Sequence, residues 1–343
     1  MKNVLQGPRN LISDVDGIIV GNISDEKIKS GVTAIVCEQP TIAGVHVMGG
    51  APGTRETDLL APENIVEEID AIVLSGGSAF GLDAASGAQA ALREAGRGFE
   101  IGPHKVPIVP SAILFDLING GDKNWGRYAP YREMGFDAVT SARKDFKIGS
   151  VGAGCGALTA VCKGGLGSAS SLVSIGGGKH ITIGAIVAAN PLGSPLVGGT
   201  KNFWAAPFEI ESEFGGFGVA NPYPNDSDEL RIKHREMLKG GANTTIAVIA
   251  TDAVLTKSQA KRIAVAAHDG FARAIWPSHT PLDGDLIFCL ATGTSGVEPL
   301  LDQYIDLGAI AASTMSRAIA RGIYHATPAQ NDLFECWSSQ FES

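Results

Sequence analysis

The sequence lacks the features that direct a protein to nucleic acid or to a membrane. Lys and Arg number 27 against 36 Asp and Glu, the net charge is −9, and the basic residues form no long run. Charge-driven binding to nucleic acid or anionic lipid needs the opposite balance. No stretch of about 18 apolar residues could span a membrane, and residues 1–8 lack the apolar core of a signal peptide. We therefore expect no nucleic-acid or membrane partner and a cytoplasmic location.

Cysteine and histidine are also scarce. The five cysteines are odd in number, scattered, and form no C-x-x-C motif, which predicts buried free thiols in a reducing compartment. The seven histidines form no H-E-x-x-H motif and no His/Cys cluster at zinc spacing. We expect neither a metal nor another cofactor. No histidine lies near a candidate Ser or Cys in a known triad signature, so a hydrolase built on this chain needs a different base.

What the chain does contain is enough apolar sequence for a large core. Hydrophobic residues make up 44% and charged residues 18%, which is typical of a folded protein. Strands and helices alternate, which predicts a layered α/β architecture with sheets covered by helices. A capping box, in which Thr256 and Gln259 satisfy each other's main-chain N–H groups, marks one helix start. The periodicity predicts strands at 11–20, 31–36, 71–74, 183–189, 244–251 and 286–291, and helices at 62–69, 82–95, 257–275 and 304–321.

The most informative segment is the one that ends at Asn243 and Thr244. A small, flexible run stops at a hydroxyl residue that opens an apolar strand, just after a polar stretch, 209–236, that we interpret as mobile. An ordinary loop entering a strand has the same composition. A cut before Thr244, however, would give that residue a free α-amine with a pKa of about 7.7–8. Nucleophile and base would then reside in one residue.

Three other segments carry groups suited to such chemistry, each with a simpler interpretation beside it. Asp283 and Asp285 alternate around a glycine, so both carboxylates could aim at one spot, although Asp-Gly is also a common turn. Asn190 ends an apolar strand and could donate to an oxyanion, or be a polar turn residue before a proline. Lys163 lies in a glycine-rich segment and is either a surface lysine or a fixed positive charge in a dry site.

The glycine-rich turn at residues 75–81 lies between a strand and a helix. It lacks the Lys-Ser/Thr ending of a phosphate-binding loop. It also fails as a nucleophile elbow, because Phe80 stands where that motif needs glycine. We interpret it as a tight strand-to-helix turn.

Seven segments, taken together and in order, give the chain a family resemblance. It resembles the L-aminopeptidase/D-esterase family of self-cleaving N-terminal-nucleophile (Ntn) hydrolases, which includes β-aminopeptidases and nylon-oligomer hydrolases. The resemblance implies a four-layer αββα sandwich, like that of Ntn hydrolases but differently connected. It also implies one domain, 1–343, that cuts itself into a large chain, 1–243, and a small chain, 244–343, which stay together, usually in a homotetramer. The segments are 9–15, 53–60, 74–82, 152–154, 190–191, 243–245 and 283–285.

Site residues follow from the same resemblance. Self-cleavage falls between Asn243 and Thr244, and Thr244 is the nucleophile both for that cut and for the substrate. The oxyanion is stabilised by Asn190. The other matching positions are Lys163, placed near the nucleophile, and Asp283 and Asp285, which orient it.

One position departs from the family pattern. Phe115 stands where several members carry a tyrosine in the site. The ring is kept and the hydroxyl is lost, so a hydrogen bond to substrate or oxyanion is missing. This departure leaves the substrate class open more than it affects the core chemistry.

The resulting hypothesis is an N-terminal-threonine amidohydrolase or aminopeptidase. It would cleave short peptides, peptide-like amides and esters through an acyl-enzyme. One alternative is an acyltransferase of the ornithine-acetyltransferase type, in which an amine resolves the same acyl-enzyme. Another is a non-catalytic ligand-binding scaffold that is never cut.

Overall fold

One long strand, β3, carries the chain through both sheet layers of the fold. The computed structural model describes residues 4–176, 179–236 and 243–341. The first half of β3 (Ser30–Val47) pairs with β2 (Ile18–Asp25) and β5 (Glu68–Ser75), and its second half pairs with β12 (Leu286–Ala291). A register shift between Val36 and Thr41 separates the two halves.

The remaining elements complete two sheet layers and two helical layers. The other strands are β1 (Val4–Gln6), β4 (Thr54–Arg55), β6 (Phe99–Ile101), β7 (His104–Val106), β8 (Ser111–Ile113), β9 (Gly165–Gly176), β10 (Lys179–Ala189) and β11 (Ile246–Thr251). The helices are α1 (Ala84–Glu94), α2 (Tyr131–Thr140), α3 (Lys233–Glu236), α4 (Lys257–Ala267), α5 (Asp269–Ala272), α6 (Leu301–Tyr324) and α7 (Trp337–Phe341). Along the main sheet the order is β1-β9-β10-β11-β12-β3-β5-β8-β4, with β2 also on β3.

Alternating side chains divide the core into the three interfaces of an αββα sandwich. In β3, Ile35 faces the second sheet layer, whereas Ala34 and Val36 pack against α1 and α2. In β10, Ile186 faces the first sheet layer, and Val187 packs on the side of α4 and α6. Because successive side chains point to opposite faces of a strand, each apolar strand here serves two interfaces. The predicted four-layer sandwich is confirmed.

Several sequence-based elements are found where they were expected. β12 has the predicted bounds, and β5, β10, β11, α1, α4 and α6 overlap their predicted ranges. The capping box is confirmed, since the Thr256 hydroxyl accepts from the Gln259 N–H and the Gln259 side chain accepts from the Thr256 N–H. The turn at residues 75–81 is also as predicted, with Gly77 at a φ of +86°.

Three predicted elements were wrong in part or in whole. Residues 62–67 form turns rather than a helix, because the carbonyls of Leu59, Asn64 and Val66 accept hydrogen bonds from the buried Lys257 ammonium. The predicted strand at 11–20 contains a 3₁₀ turn (Ile12–Asp14) and joins β2 only at its end. The predicted helix at 257–275 is broken at His268 into α4 and α5.

The polar stretch 209–236 is tied to the rest of the fold at several points, among them Glu213 and Lys233. Glu213 is paired with Arg317 and Arg321 of α6. Farther along, the N–H of Lys233 donates to the Leu192 carbonyl over 2.9 Å.

All five thiols are unpaired, as predicted, and four of them are buried, whereas Cys155 is half-buried. Burial raises the pKa of Cys37 and Cys162 to about 12, so these thiols are poor nucleophiles. Within the described ranges, no helix combines the length and apolarity needed to cross a bilayer.

Close packing of α6 on β9 depends on Gly322. A Cβ at this position would lie 2.6 Å from the Gly167 nitrogen, whereas at Gly308 of the same helix the nearest atom is the Ala266 Cβ at 3.4 Å. We expect Gly322→Ala to lower the free energy of unfolding by about 1–3 kcal/mol. Gly308→Ala should leave it unchanged or raise it by up to about 1 kcal/mol. Urea unfolding of both variants measures this, and equal shifts in one direction would contradict it.

Candidate functional site

The peptide bond between Asn243 and Thr244 is buried where the chain enters β11. Asn243 is 1% exposed and Thr244 3% exposed. The Thr244 hydroxyl donates to the Asn243 carbonyl oxygen at an oxygen–oxygen distance of 2.5 Å. The hydroxyl therefore lies directly against the carbonyl group that it would attack in self-cleavage.

The same carbonyl oxygen has a second donor. The N–H of Gly284 donates to the Asn243 oxygen over 2.9 Å, and the N–H of Asn243 donates to the Leu282 oxygen over 3.2 Å. Donors fixed on a carbonyl oxygen stabilise the negative charge that develops there during attack. A Cβ at Gly284 would lie 2.7 Å from the Thr244 Oγ1, so a side chain at 284 would displace the hydroxyl.

Asp285 holds the residue that follows the hydroxyl. Its Oδ1 accepts from the Thr245 N–H at 2.8 Å, and its Oδ2 accepts from the His279 N–H at 3.0 Å. The His279 Nδ1 lies 2.9 Å from the same Oδ2. The carboxylate therefore positions the start of β11 through the main chain.

Asp283 holds the segment that contains Asn190. Its Oδ1 accepts from the Leu192 N–H at 3.0 Å, and its Oδ2 accepts from the N–H and hydroxyl of Thr280. Burial raises the pKa of Asp283, and the neighbouring charge of Asp285 adds to this shift. Both carboxylates are thus partners of main-chain N–H groups, Asp283 at Leu192 and Asp285 at Thr245.

Asn190 contacts Thr244 through its main chain. Its carbonyl oxygen accepts from the Thr244 N–H at 3.1 Å. Its side-chain Oδ1 accepts from the Leu158 N–H, and its NH₂ donates to the main-chain oxygen of Phe115, both at 3.0 Å. Gly284 therefore supplies the main-chain N–H that binds the Asn243 oxygen. Asn190 binds the Thr244 N–H through its carbonyl oxygen and the Phe115 oxygen through its NH₂. A role for the half-buried Phe115 ring in substrate binding stays a prediction.

Lys163 has other partners. Its ammonium donates to the Thr327 oxygen at 2.9 Å and to Asp332 Oδ2 at 2.7 Å, and Lys29 binds the other oxygen of Asp332. The lysine is buried, as the interpretation of a fixed charge in a dry site requires. Its action on Thr244 stays a prediction from the resemblance.

Comparison with known proteins decides the family. A family model described as "Peptidase family S58" matches residues 10–332. The chain belongs to peptidase family S58. A member of the family hydrolyses peptide-type bonds, so the chain is a hydrolase and a peptidase.

Similar proteins agree with S58 membership in sequence and in fold. A relative in Mycobacterium tuberculosis, named an uncharacterized aminopeptidase, is 39% identical over 342 residues, covering 93% of this chain and 95% of the relative. The β-aminopeptidase of a Burkholderia species superposes with a TM-score of 0.71 at 22% identity, covering 98% of this chain and 92% of that one. The L-aminopeptidase D-Ala-esterase/amidase of Ochrobactrum anthropi, described as a new variant among the Ntn-hydrolase fold, gives 0.68 at 21% identity, covering 98% and 96%. The S58 chain therefore has the Ntn-hydrolase-type fold.

Sequence reasoning missed three residues of this S58 site. Gly284 was interpreted only as part of a turn, yet it supplies a donor and leaves room for Thr244. Lys233 lies in a polar stretch without periodicity, so no local pattern singles it out. His279 is separated from Asp285 by five residues of irregular chain, and only the tertiary fold brings its ring to the carboxylate.

His279 belongs to a group of three histidines whose rings pack edge to face. The ring of His268 lies 4.9 Å from that of His279 and 5.1 Å from that of His46, measured between centroids. No grouping of acidic, His or Cys side chains within the described ranges could hold a metal ion. Burial lowers the pKa of His268 to about 4, assisted by His279 and His46 and opposed by the hydrogen bond to the His46 oxygen and by Asp285.

The lowered pKa of His268 predicts a loss of stability in acid. Between its ordinary value of 6.5 and about 4, the unfolded chain binds a proton on His268 and the folded chain does not. The free energy of unfolding therefore decreases as the pH falls through this window, by up to about 3 kcal/mol from this group. Urea unfolding from pH 7 to pH 4 should show a shallower decrease for His268→Gln. Exposed His104→Gln is the control, and identical pH slopes for His268→Gln and the wild type would contradict the assignment.

Proposed function

We propose that the chain cuts itself before Thr244 and then acts as an N-terminal-threonine aminopeptidase on short peptides and related amides and esters. The observation that carries this proposal is the Asn243 carbonyl oxygen with two donors, the Thr244 hydroxyl at 2.5 Å and the Gly284 N–H at 2.9 Å. Membership of a peptidase family and a 39% identical relative named an aminopeptidase support the substrate class.

Self-cleavage begins with attack of the Thr244 Oγ on the Asn243 carbonyl carbon. The Gly284 N–H stabilises the oxyanion that forms. The carbon–nitrogen bond then breaks, the hydroxyl proton passes to the released amine, and Asn243 is left as an ester on the Thr244 oxygen. One water hydrolyses this ester, giving the Asn243 carboxyl group and a Thr244 with both a free hydroxyl and a free α-amine.

Substrate hydrolysis uses the new amine as the base. The amine takes the proton of the Thr244 hydroxyl as Oγ attacks the substrate carbonyl, and that proton leaves with the departing amine of the substrate. Asn190 keeps its carbonyl oxygen on the Thr244 nitrogen. Its NH₂ has two donor hydrogens, so one can serve the oxyanion while the other remains on Phe115. Water then releases the acyl group.

The two chains would stay together after the cut. β11 pairs with β10 on one side and with parallel β12 on the other, six residue pairs to each. Its side chains contribute to both the interface between the sheets and the one under α4 and α6. The small chain would therefore remain packed in one domain with the large chain. We propose that these processed pairs assemble into a homotetramer. Its substrates would be small peptides or amides.

The cut predicts a defined pair of products from the 343-residue chain. Denaturing gels and intact mass of wild type should show chains 1–243 and 244–343, with threonine at the new terminus. Thr244→Val, which keeps the shape and removes the hydroxyl, should stay whole and hydrolyse no aminoacyl p-nitroanilide. Thr244→Ser should still be cut, because it keeps a hydroxyl at the same position.

The adjacent threonine provides the matched control. Thr245 is buried too, and its hydroxyl has no hydrogen-bond partner within the described ranges. Thr245→Val keeps the main-chain N–H and should therefore be cut like wild type. An active wild type that remains one intact chain would rule out the mechanism.

A further inference from the structure

Lys233 places a buried cation beside Asn190. The residue is 6% exposed, and its Nζ donates to Asn190 Oδ1 at 3.0 Å and to the Asn190 main-chain oxygen at 3.3 Å. Its own N–H is fixed on the Leu192 oxygen. A buried lysine loses hydration and side-chain freedom, and within residues 4–176, 179–236 and 243–341 its ammonium donates to the two oxygens of Asn190.

The main-chain oxygen of Asn190 is the atom that joins Lys233 to Thr244. It accepts both the Lys233 Nζ and the Thr244 N–H, the latter at 3.1 Å. The Thr244 nitrogen is the atom that becomes the α-amine. After a cut, one carbonyl oxygen would therefore hold two basic nitrogens, one from each chain.

We propose that Lys233 is a positioning residue of this site, which fixes the amide of Asn190 and keeps the α-amine of Thr244 in its unprotonated, basic form. The inference rests on the proposed function. Two ammonium groups on one buried oxygen repel each other, so the pair holds fewer protons at neutral pH than two isolated amines. The base that activates Oγ is thus ready at a lower pH than it would be alone.

The amide orientation follows from the donors around Asn190. Lys233 and the Leu158 N–H are donors only, and both meet Oδ1, whereas the Phe115 oxygen is an acceptor and meets the NH₂. Asn190 can therefore satisfy all three partners in one orientation. That orientation turns the NH₂ toward Phe115 and away from Lys233.

The charges around Lys233 agree with this role. Burial lowers the pKa of Lys233 to about 7, and the charge of Asp283 opposes the shift, so the lysine is charged on the acidic side of neutrality, where the α-amine would otherwise gain its proton. Asp283 is bound by the N–H of Leu192 and by Thr280, and Asp285 is bound at Thr245 and His279. Asp285 therefore binds the N–H one residue after Thr244, and Asp283 binds the N–H two residues after Asn190.

A structural role and a positioning role predict opposite results for Lys233→Met. Each Asn190 oxygen keeps another donor without the lysine, the Leu158 N–H on Oδ1 and the Thr244 N–H on the main chain. The lysine binds neutral oxygens, and a buried charge carries a desolvation cost that an apolar chain of similar length does not. We therefore expect the urea midpoint to be unchanged or higher, while self-cleavage or kcat/KM falls by about 10- to 100-fold.

The pH profile gives a readout that packing does not affect. The amine works in its neutral form, so kcat/KM rises with pH through the pKa of the amine. Removing the neighbouring cation raises that pKa, and the acidic limb should move up by about one unit. A Lys233→Met variant that folds and is no longer cut would support the inference through its cleavage rate alone.

Lys257→Met is the matched control. Lys257 is a buried lysine whose ammonium donates to three main-chain oxygens, and the residues that carry these oxygens are distant from Lys257 in sequence. Its loss leaves the Leu59, Asn64 and Val66 carbonyls without this donor, so the urea midpoint should fall while the cut before Thr244 persists.

Each outcome is decisive. If Lys233→Met has the same cleavage rate, kcat/KM and acidic limb as the wild type, the inference is overturned and the proposed function still stands. A lowered urea midpoint in Lys233→Met would also overturn it, by showing a structural role. A wild type that is not cut before Thr244 would overturn both.

Discussion

The Thr244 hydroxyl and the Gly284 N–H meet at one atom, the carbonyl oxygen of Asn243. This contact exists only in one register between the start of β11 and the segment before β12. In that register Asn243 pairs with Asp283 and Ile246 with Leu286. A slip of one residue would turn every side chain of β11 to the other face. The geometry of the bond between Asn243 and Thr244 is therefore set by the packing of both sheet faces.

Main-chain N–H groups supply most of the hydrogen bonds that hold the two carboxylates of the site. Asp283 joins its own loop to the segment after β10, and Asp285 joins the same loop to the start of β11. Three separate stretches of chain are fixed by two side chains two residues apart. Buried carboxylates that accept several N–H bonds stay in place without a cationic partner. Such an arrangement makes the site rigid, and the ammonium of Lys233 binds Asn190.

Sequence alone could predict the layers of the fold and much of the site. The apolar runs of β10, β11 and β12 and the capping box at Thr256 are local signals, and the structure contains the elements that they predict. The order of the motifs also predicted a shared site, and the structure brings the segments containing Thr244, Asn190 and Asp283 together. None of these inferences required knowledge of the contacts between the layers of the fold.

What the sequence could not show depends on contacts between distant segments. The predicted helix at 62–69 fails because a lysine almost 200 positions later binds its carbonyls. Lys233 has no helical or strand period around it, and its importance appears only when its Nζ reaches Asn190. Gly284 has the composition of a turn, and only the position of the Thr244 side chain shows why it has no Cβ.

Because β11 lies between two other strands of the sheet, an unfolded molecule that had been cut would refold less readily than the intact chain. The intact chain inserts β11 between β10 and β12 as part of one polypeptide. Once separated from residue 243, the same strand would have to find its slot as part of a second molecule, so recovery from denaturation would depend on concentration. Maturation by a cut before Thr244 would therefore give the enzyme one opportunity to assemble from a single chain.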